Sequence, residues 1–289
     1  MAKTIVKNLF LKALPHYDRY PIERKASGGV SGSLVQTENN WRLSSDIGCA
    51  FICIDGLSRY YALTKDPAVF AFIEKTAALF MAVDKIGGKV QTHATLTAAR
   101  GMFCFFQATG NRTYYDFAKN LFDLYRENGM TLTYENFNWF TREDTWTEPC
   151  AVVDSLILAL SFYNETHGPM YRTLARRIAF NGLSFCHREN GGACPNTCVT
   201  QTQPYLSVSM YEAAFCCTIR YNEGLLWMKR NKDLFAFDAE ATMFTDEIGR
   251  TYVDDVLLVT DESGKMHLLP DLAFAANTAE QFLIVRKDT

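Results

Sequence analysis

Phe105-Phe106-Gln107-Ala108-Thr109-Gly110 is the stretch from which the fold can be read. It closes an apolar run, and a segment carrying Tyr114 and Phe117-Ala118 follows it. The pattern occurs twice more. Tyr60-Tyr61-Ala62-Leu63-Thr64 precedes Lys65-Asp66, and Phe162-Tyr163-Asn164-Glu165-Thr166 precedes Gly168 and a segment with Tyr171 and Leu174-Ala175. The three threonines lie 45 and 57 residues apart. Each unit reads as a helix, a tight turn and a second helix. One helical hairpin cannot bury its own apolar face, so such units stack into a solenoid or close into an α/α toroid.

Periodicity around these turns agrees. Val69, Phe72, Ile73, Thr76, Phe80 and Val83 share one helical face. Tyr114, Phe117, Ala118, Leu121, Phe122 and Tyr125 share another, and Val152, Val153, Leu156, Ile157, Leu160 and Tyr163 a third. The expected architecture is mainly α: an incomplete α/α toroid over residues 46–231. Residues 1–45 read as an N-terminal arm or loop, because 17–45 are polar and rich in glycine and serine. Over 232–289 the period changes. Val256 to Thr260 and Met266 to Leu269 flank a turn at Asp261-Glu262-Ser263-Gly264, and Gln281 to Arg286 reads as a further strand. This segment is expected to begin a β-sandwich.

Composition bounds the function. At 48% hydrophobic and 21% charged residues the 289-residue chain can pack a core. A net charge of −3 supplies no basic excess for nucleic acid. No apolar run spans a membrane, and the lysine-interrupted Met1–Pro15 stretch is a poor secretory signal, so a cytoplasmic protein with reduced thiols is expected. Nine cysteines cannot all pair within one chain.

Several residues could carry chemistry. Cys216-Cys217 are adjacent on an expected helix from Tyr211 to Met228, and Glu148 and Cys150 bracket Pro149 just before another. Thiolates with a carboxylate suit zinc, although free cysteine is often a small buried hydrophobe. Cys186, His187, Cys194 and Cys198 could form a separate structural zinc site, while Cys49, Cys53 and Cys104 read as core. Glu135 lies in the polar-aromatic stretch Thr133–Trp139. A carboxylate beside aromatic rings can act as a general acid, and Trp139, Phe140 and Trp146 could form a platform for a sugar ring. Alternatively, the acids are solvated and the tryptophans pack in the core. His93 opens an expected helix running to Gln107, where a neutral imidazole could contact substrate or simply pack. Arg220 could contact an anionic group or form a surface salt bridge.

Taken in order, Tyr134-Glu135-Asn136-Phe137, Thr147-Glu148-Pro149-Cys150-Ala151, Phe180-Asn181-Gly182-Leu183 and Phe215-Cys216-Cys217 resemble glycoside hydrolase family 127, the β-L-arabinofuranosidases and relatives. The stretch from His93 through Arg100-Gly101 to Ala108-Thr109-Gly110 resembles it too, and the likeness covers roughly 46–230. The resemblance implies an α/α toroid followed by β-sandwich material, and zinc held by Glu148, Cys150, Cys216 and Cys217. It makes Cys216 the nucleophile, Glu135 the acid/base and His93 a sugar contact. The Glu135 to Glu148 spacing is shorter than the family pattern, and a further helical histidine has no counterpart near Gly48–Phe51. Helices that would complete the toroid also lack counterparts. Apolar faces left exposed in this way point to homo-oligomerisation.

The leading expectation is therefore a retaining, zinc-thiolate glycosidase with a carbohydrate substrate and no nucleic-acid or membrane partner. Two alternatives stand beside it. One is a non-catalytic helical-repeat protein with structural zinc. The other is a metal-independent toroid glycosidase using paired carboxylates such as Glu135 and Asp144.

Overall fold

The structure, a computed structural model, describes residues 1–18, 36–38, 41–43, 48–211, 215–237, 240–272 and 280–285. The chain is mainly helical, with a small antiparallel sheet towards its C-terminal end. Ala2–Ile5 (α1) and Leu11–Ala13 (α2) are joined by a π-helical turn, Val6–Phe10. Gln36–Glu38 (β1) and Trp41–Leu43 (β2) pair antiparallel. The expected N-terminal arm is thus helical over its first part and carries a hairpin near its end; residues 19–35 lie outside the described part.

The expected helical hairpins follow. They are Cys53–Thr64 (α3) with Pro67–Ala82 (α4), Thr92–Thr109 (α5) with Arg112–Asn128 (α6), and Pro149–Thr166 (α7) with Pro169–Arg177 (α8). The last continues as a π-helical turn, Ile178–Leu183. One turn design serves all three. The first helix ends on a threonine whose hydroxyl donates to the carbonyl four residues back: Thr64 to Tyr60, Thr109 to Phe105, Thr166 to Phe162. The next residue is left-handed, with φ of 54° at Lys65, 72° at Gly110 and 53° at His167. Its N–H caps the helix on the carbonyls of Tyr61, Phe106 and Tyr163. The threonine oxygen then accepts from the second residue on, at 3.4, 3.2 and 3.1 Å. Asp66 and Asn111 next cap the following helices.

Two compact units divide the chain: Met1–Asn128 with Trp139–Arg142, and Gly129–Asn138 with Glu143–Thr289. In the first, α5 packs against α3 and α6. Gly101 allows the closest approach, since a Cβ there would lie 2.6 Å from the Asp55 nitrogen. The faces read on α4 and α6 are buried largely as expected, although Phe117 and Val83 are only half-buried.

In the second unit, α7 departs from the one-sided pattern. Every residue from Pro149 to Leu160 is buried, so this part of the helix is enclosed on all sides. Phe215–Arg230 (α9) runs parallel to it. Cys150 faces Cys217, Asp154 faces Arg220, and Asn164 faces Asn231, so partners ascend together along both helices. Gly224 permits the contact, because a Cβ there would meet Val153 at 3.1 Å.

The same unit includes residues 232–289. Its sheet has the strand order β3-β8-β6-β5-β4, from Tyr205–Leu206 (β3), Met243–Thr245 (β4), Thr251–Val253 (β5), Val256–Thr260 (β6) and Phe282–Leu283 (β8); Met266–Leu268 (β7) pairs with β6. The expected β6–β7 hairpin is present. The expected strand over 281–286 is only two residues long and pairs with β3, a strand the sequence did not announce; Arg286 lies outside the described residues. Asn181 ties sheet to helix, accepting from the Leu257 N–H at 2.7 Å and donating to the Asp255 carbonyl at 2.9 Å. No helix among the described residues is long and apolar enough to cross a membrane.

Candidate functional site

Two parallel helices bring three thiols to one end of the second unit. Glu148 is the N-cap of α7, Pro149 is its first residue and Cys150 its second. Pro149 suits this position because its missing N–H would have no helical partner there. The Glu148 backbone carbonyl starts the helix, accepting from Ala151 at 2.9 Å, while its side chain makes no capping bond. Cys216 and Cys217 sit in the first turn of α9.

Cys150 Sγ lies 3.6 Å from Cys217 Sγ, and Cys216 Sγ lies 4.0 Å from Cys217 Sγ. All three sulfurs are within 4.8 Å of one another, and a Glu148 carboxylate oxygen is within 4.8 Å of Cys150 Sγ. Cys150 and Cys217 are buried, whereas Cys216 faces solvent. As thiols, they hold one another apart in acidity. Cys150 donates to Cys217, which raises Cys150 and lowers Cys217; burial raises Cys216. The Glu148 charge opposes ionisation at all three.

The three thiols have the chemistry and the spacing that zinc takes. Tetrahedral Zn–S bonds of about 2.3 Å place sulfurs about 3.8 Å apart. The Cys150–Cys217 and Cys216–Cys217 separations bracket that spacing, while Glu148 lies within reach of Cys150 but outside the cluster of all three thiols. A cation here would also relieve the crowding of acidic groups, since thiolates and a carboxylate repel one another unless a positive charge lies between them.

Glu135 lies in the same unit but is fully buried. Its Oε1 accepts from Thr147 Oγ1 at 2.9 Å and Asn196 Nδ2 at 2.7 Å, and its Oε2 accepts from Thr133 Oγ1 at 2.9 Å. Cys186 Sγ approaches Oε1 at 3.7 Å. Burial holds this carboxyl above its ordinary value despite those donors. Thr147 is held in turn, its N–H donating to the Asn196 carbonyl at 2.9 Å and its Oγ1 accepting from the Asn196 N–H at 2.8 Å. Trp146 is 44% exposed, so its indole offers a face to solvent rather than packing in the core.

The other sequence candidates divide between the units. His93 is the second residue of α5 and half-buried; Trp139 is buried and bridges Gln91. Both belong to the first unit. Cys186, Cys194 and Cys198 do not form a second metal cluster among the described residues. Their thiols instead turn to the Gly182, Tyr211 and Asn136 carbonyls. Arg220 forms the expected salt bridge with the partly exposed Glu223, and it also pairs with the buried Asp154, so one of its partners lies in the core.

Asn136, Asn138, Thr147 and Asn196 escaped the sequence reading. Two of them, Asn136 and Thr147, lie inside the motifs that carry the resemblance, and their amide and hydroxyl groups were the available signal.

No protein-family model matches the sequence, and no curated protein matches it. Solved structures do. An inactive variant of the α-1,6-mannanase GH76A of Salegentibacter sp. HEL1_6, in complex with α-1,6-mannotetrose, superposes with a TM-score of 0.56 at 14% identity. A second inactive variant, with α-1,6-mannotriose, gives 0.55 at 12% identity. The fold is an α/α toroid. In each comparison the match covers 78% of this chain and 64% of the other.

Proposed function

We propose that this chain carries the centre of a retaining glycoside hydrolase acting on a β-L-arabinofuranoside or a related plant-polysaccharide sugar. One observation carries the reading: Cys150, Cys216 and Cys217 converge from two helices beside Glu148, and only Cys216 is open to solvent. The toroid fold shared with a mannanase is consistent with a carbohydrate substrate. The sugar and the thiolate chemistry come from the resemblance to family 127.

Glu148, Cys150, Cys216 and Cys217 would hold zinc. When bound, zinc keeps thiols ionised at neutral pH and so makes a thiolate nucleophile available. Cys216 then attacks the anomeric carbon as the glycosidic C–O bond breaks, giving a thioglycosyl intermediate on its own sulfur. Glu135 is the acid: burial keeps its carboxyl protonated at higher pH, as proton donation to the leaving oxygen requires. In the second step Glu135 takes a proton from water, which opens the C–S bond. Two inversions return the original configuration. Trp146 supplies an exposed aromatic face for the sugar ring.

The test is metal content together with hydrolysis of a panel of aryl glycofuranosides, with and without chelator, for the wild type and Cys216→Ala. One zinc per chain and turnover lost with either treatment is the expected result. Zinc without turnover would leave a structural site. Turnover that survives both treatments would favour a pair of carboxylates.

A further inference from the structure

The stretch from Tyr134 to Asn138 grips the metal-ligand segment at three successive points. Glu135 takes the Thr147 hydroxyl, and Asn136 Oδ1 accepts the Glu148 N–H at 2.7 Å. Asn138 reaches the Glu148 side chain. In the amide orientation that satisfies both neighbours, its Nδ2 donates to Glu148 Oε2 at 3.0 Å and its Oδ1 accepts from Trp146 Nε1 at 3.1 Å. Asn138 is 5% exposed, so these bonds compete little with water.

The gripping stretch is itself held. Tyr134 is left-handed at φ 65°, a costly conformation for a bulky side chain. It is locked by a 2.8 Å bond to the Tyr252 hydroxyl, a 3.1 Å bond from Arg177 Nη1 and the Arg250 guanidinium over its ring. The Gly182 backbone leaves room for its carbonyl, where a Cβ would come within 2.5 Å. A carboxylate that does not cap its own helix is thus oriented by an amide on a braced segment.

We propose that Asn138 is a positioning residue for Glu148. It ties down Oε2 of a carboxylate that lies within 4.8 Å of Cys150 Sγ, and couples that carboxylate to the indole of Trp146. The inference rests on the zinc reading above and adds the group that aims one ligand. Partners of this kind commonly change metal affinity by about 10- to 100-fold when removed.

The experiment measures zinc affinity by chelator competition, and the absorption spectrum of the cobalt-substituted protein, for wild type, Asn138→Leu, Asn138→Asp and Trp146→Phe. Circular dichroism of the metal-free proteins reports folding. Asn138→Leu is expected to weaken zinc by about 10- to 100-fold and to alter the cobalt ligand-field bands, with the thiolate charge-transfer bands retained. Asn138→Asp keeps the volume but sets a carboxylate against Glu148, so it should bind at least as weakly; it serves if the leucine variant does not fold. Trp146→Phe removes only the outer bond and should cost less than either. Wild-type affinity and an unchanged cobalt spectrum in both Asn138 variants would overturn the positioning role alone. A wild type that takes up neither metal would overturn the zinc reading and this inference together.

Discussion

Asp154 and Arg220 form an ion pair one helical turn beyond Cys150 and Cys216. Each lies four residues after a thiol on its own helix, so the pair joins α7 to α9 next to the cluster. Asp154 is fully buried, and Arg220 also donates to Glu223 at 2.6 Å. Removing one partner leaves a buried charge uncompensated. Arg220→Met should therefore lower the unfolding free energy by about 3 kcal/mol in urea titration. Arg220→Lys should recover only part, because one ammonium cannot address two carboxylates as a fork does. Equal stability for all three proteins would show that the pair does not hold the helices.

Zinc that binds only the folded arrangement must stabilise it. At free zinc about a thousandfold above the dissociation constant, the gain is about 4 kcal/mol, seen as a higher thermal midpoint that a chelator reverses. Cys150→Ser nearly preserves volume but removes a sulfur ligand, and it should abolish most of that gain. A full zinc-dependent rise in this variant would place the metal elsewhere.

Glu135→Gln separates two roles for a buried carboxyl. The native value lies above the ordinary 4.5, so above that pH the folded state keeps a proton that the unfolded state has released. Wild-type stability then falls as pH rises through the window between the unfolded and native values. The glutamine variant lacks this loss and should become relatively more stable over the same window, read from urea midpoints at several pH values. For activity, loss of a general acid should cost about 10²- to 10⁴-fold on poor leaving groups and much less on activated aryl glycosides. Equal loss on both would assign Glu135 to positioning Thr147 rather than to proton transfer.

Two glycines are expected to tolerate no side chain. A Cβ at Gly182 would lie 2.5 Å from the Tyr134 carbonyl oxygen, and at Gly101 2.6 Å from the Asp55 nitrogen. Backbone cannot yield as a flexible side chain does, so each Gly→Ala change should cost about 1–3 kcal/mol by overpacking. Gly182→Ala should in addition weaken zinc binding, because it displaces the stretch that grips Glu148, whereas Gly101→Ala gives no such prediction. Thermal midpoints with and without zinc distinguish the two effects.

The sequence by itself determined the helical hairpins. Their turns are local: a threonine and a left-handed residue close each one, a capping side chain follows in the first two, and the apolar faces beyond them follow from a 3.6-residue period. It also determined the ligand candidates, because Glu148 with Cys150 and Cys216 with Cys217 are each a short motif. Tertiary structure alone decided that these two motifs meet. Cys150 and Cys217 come within 3.6 Å because α7 and α9 run parallel, a packing relation that no local pattern encodes. It likewise decided which thiol faces solvent and that the Glu135 carboxyl is buried among Thr133, Thr147 and Asn196. It also gave an amide at Asn138 the task of aiming Glu148, since burial and side-chain partners arise only when distant segments pack.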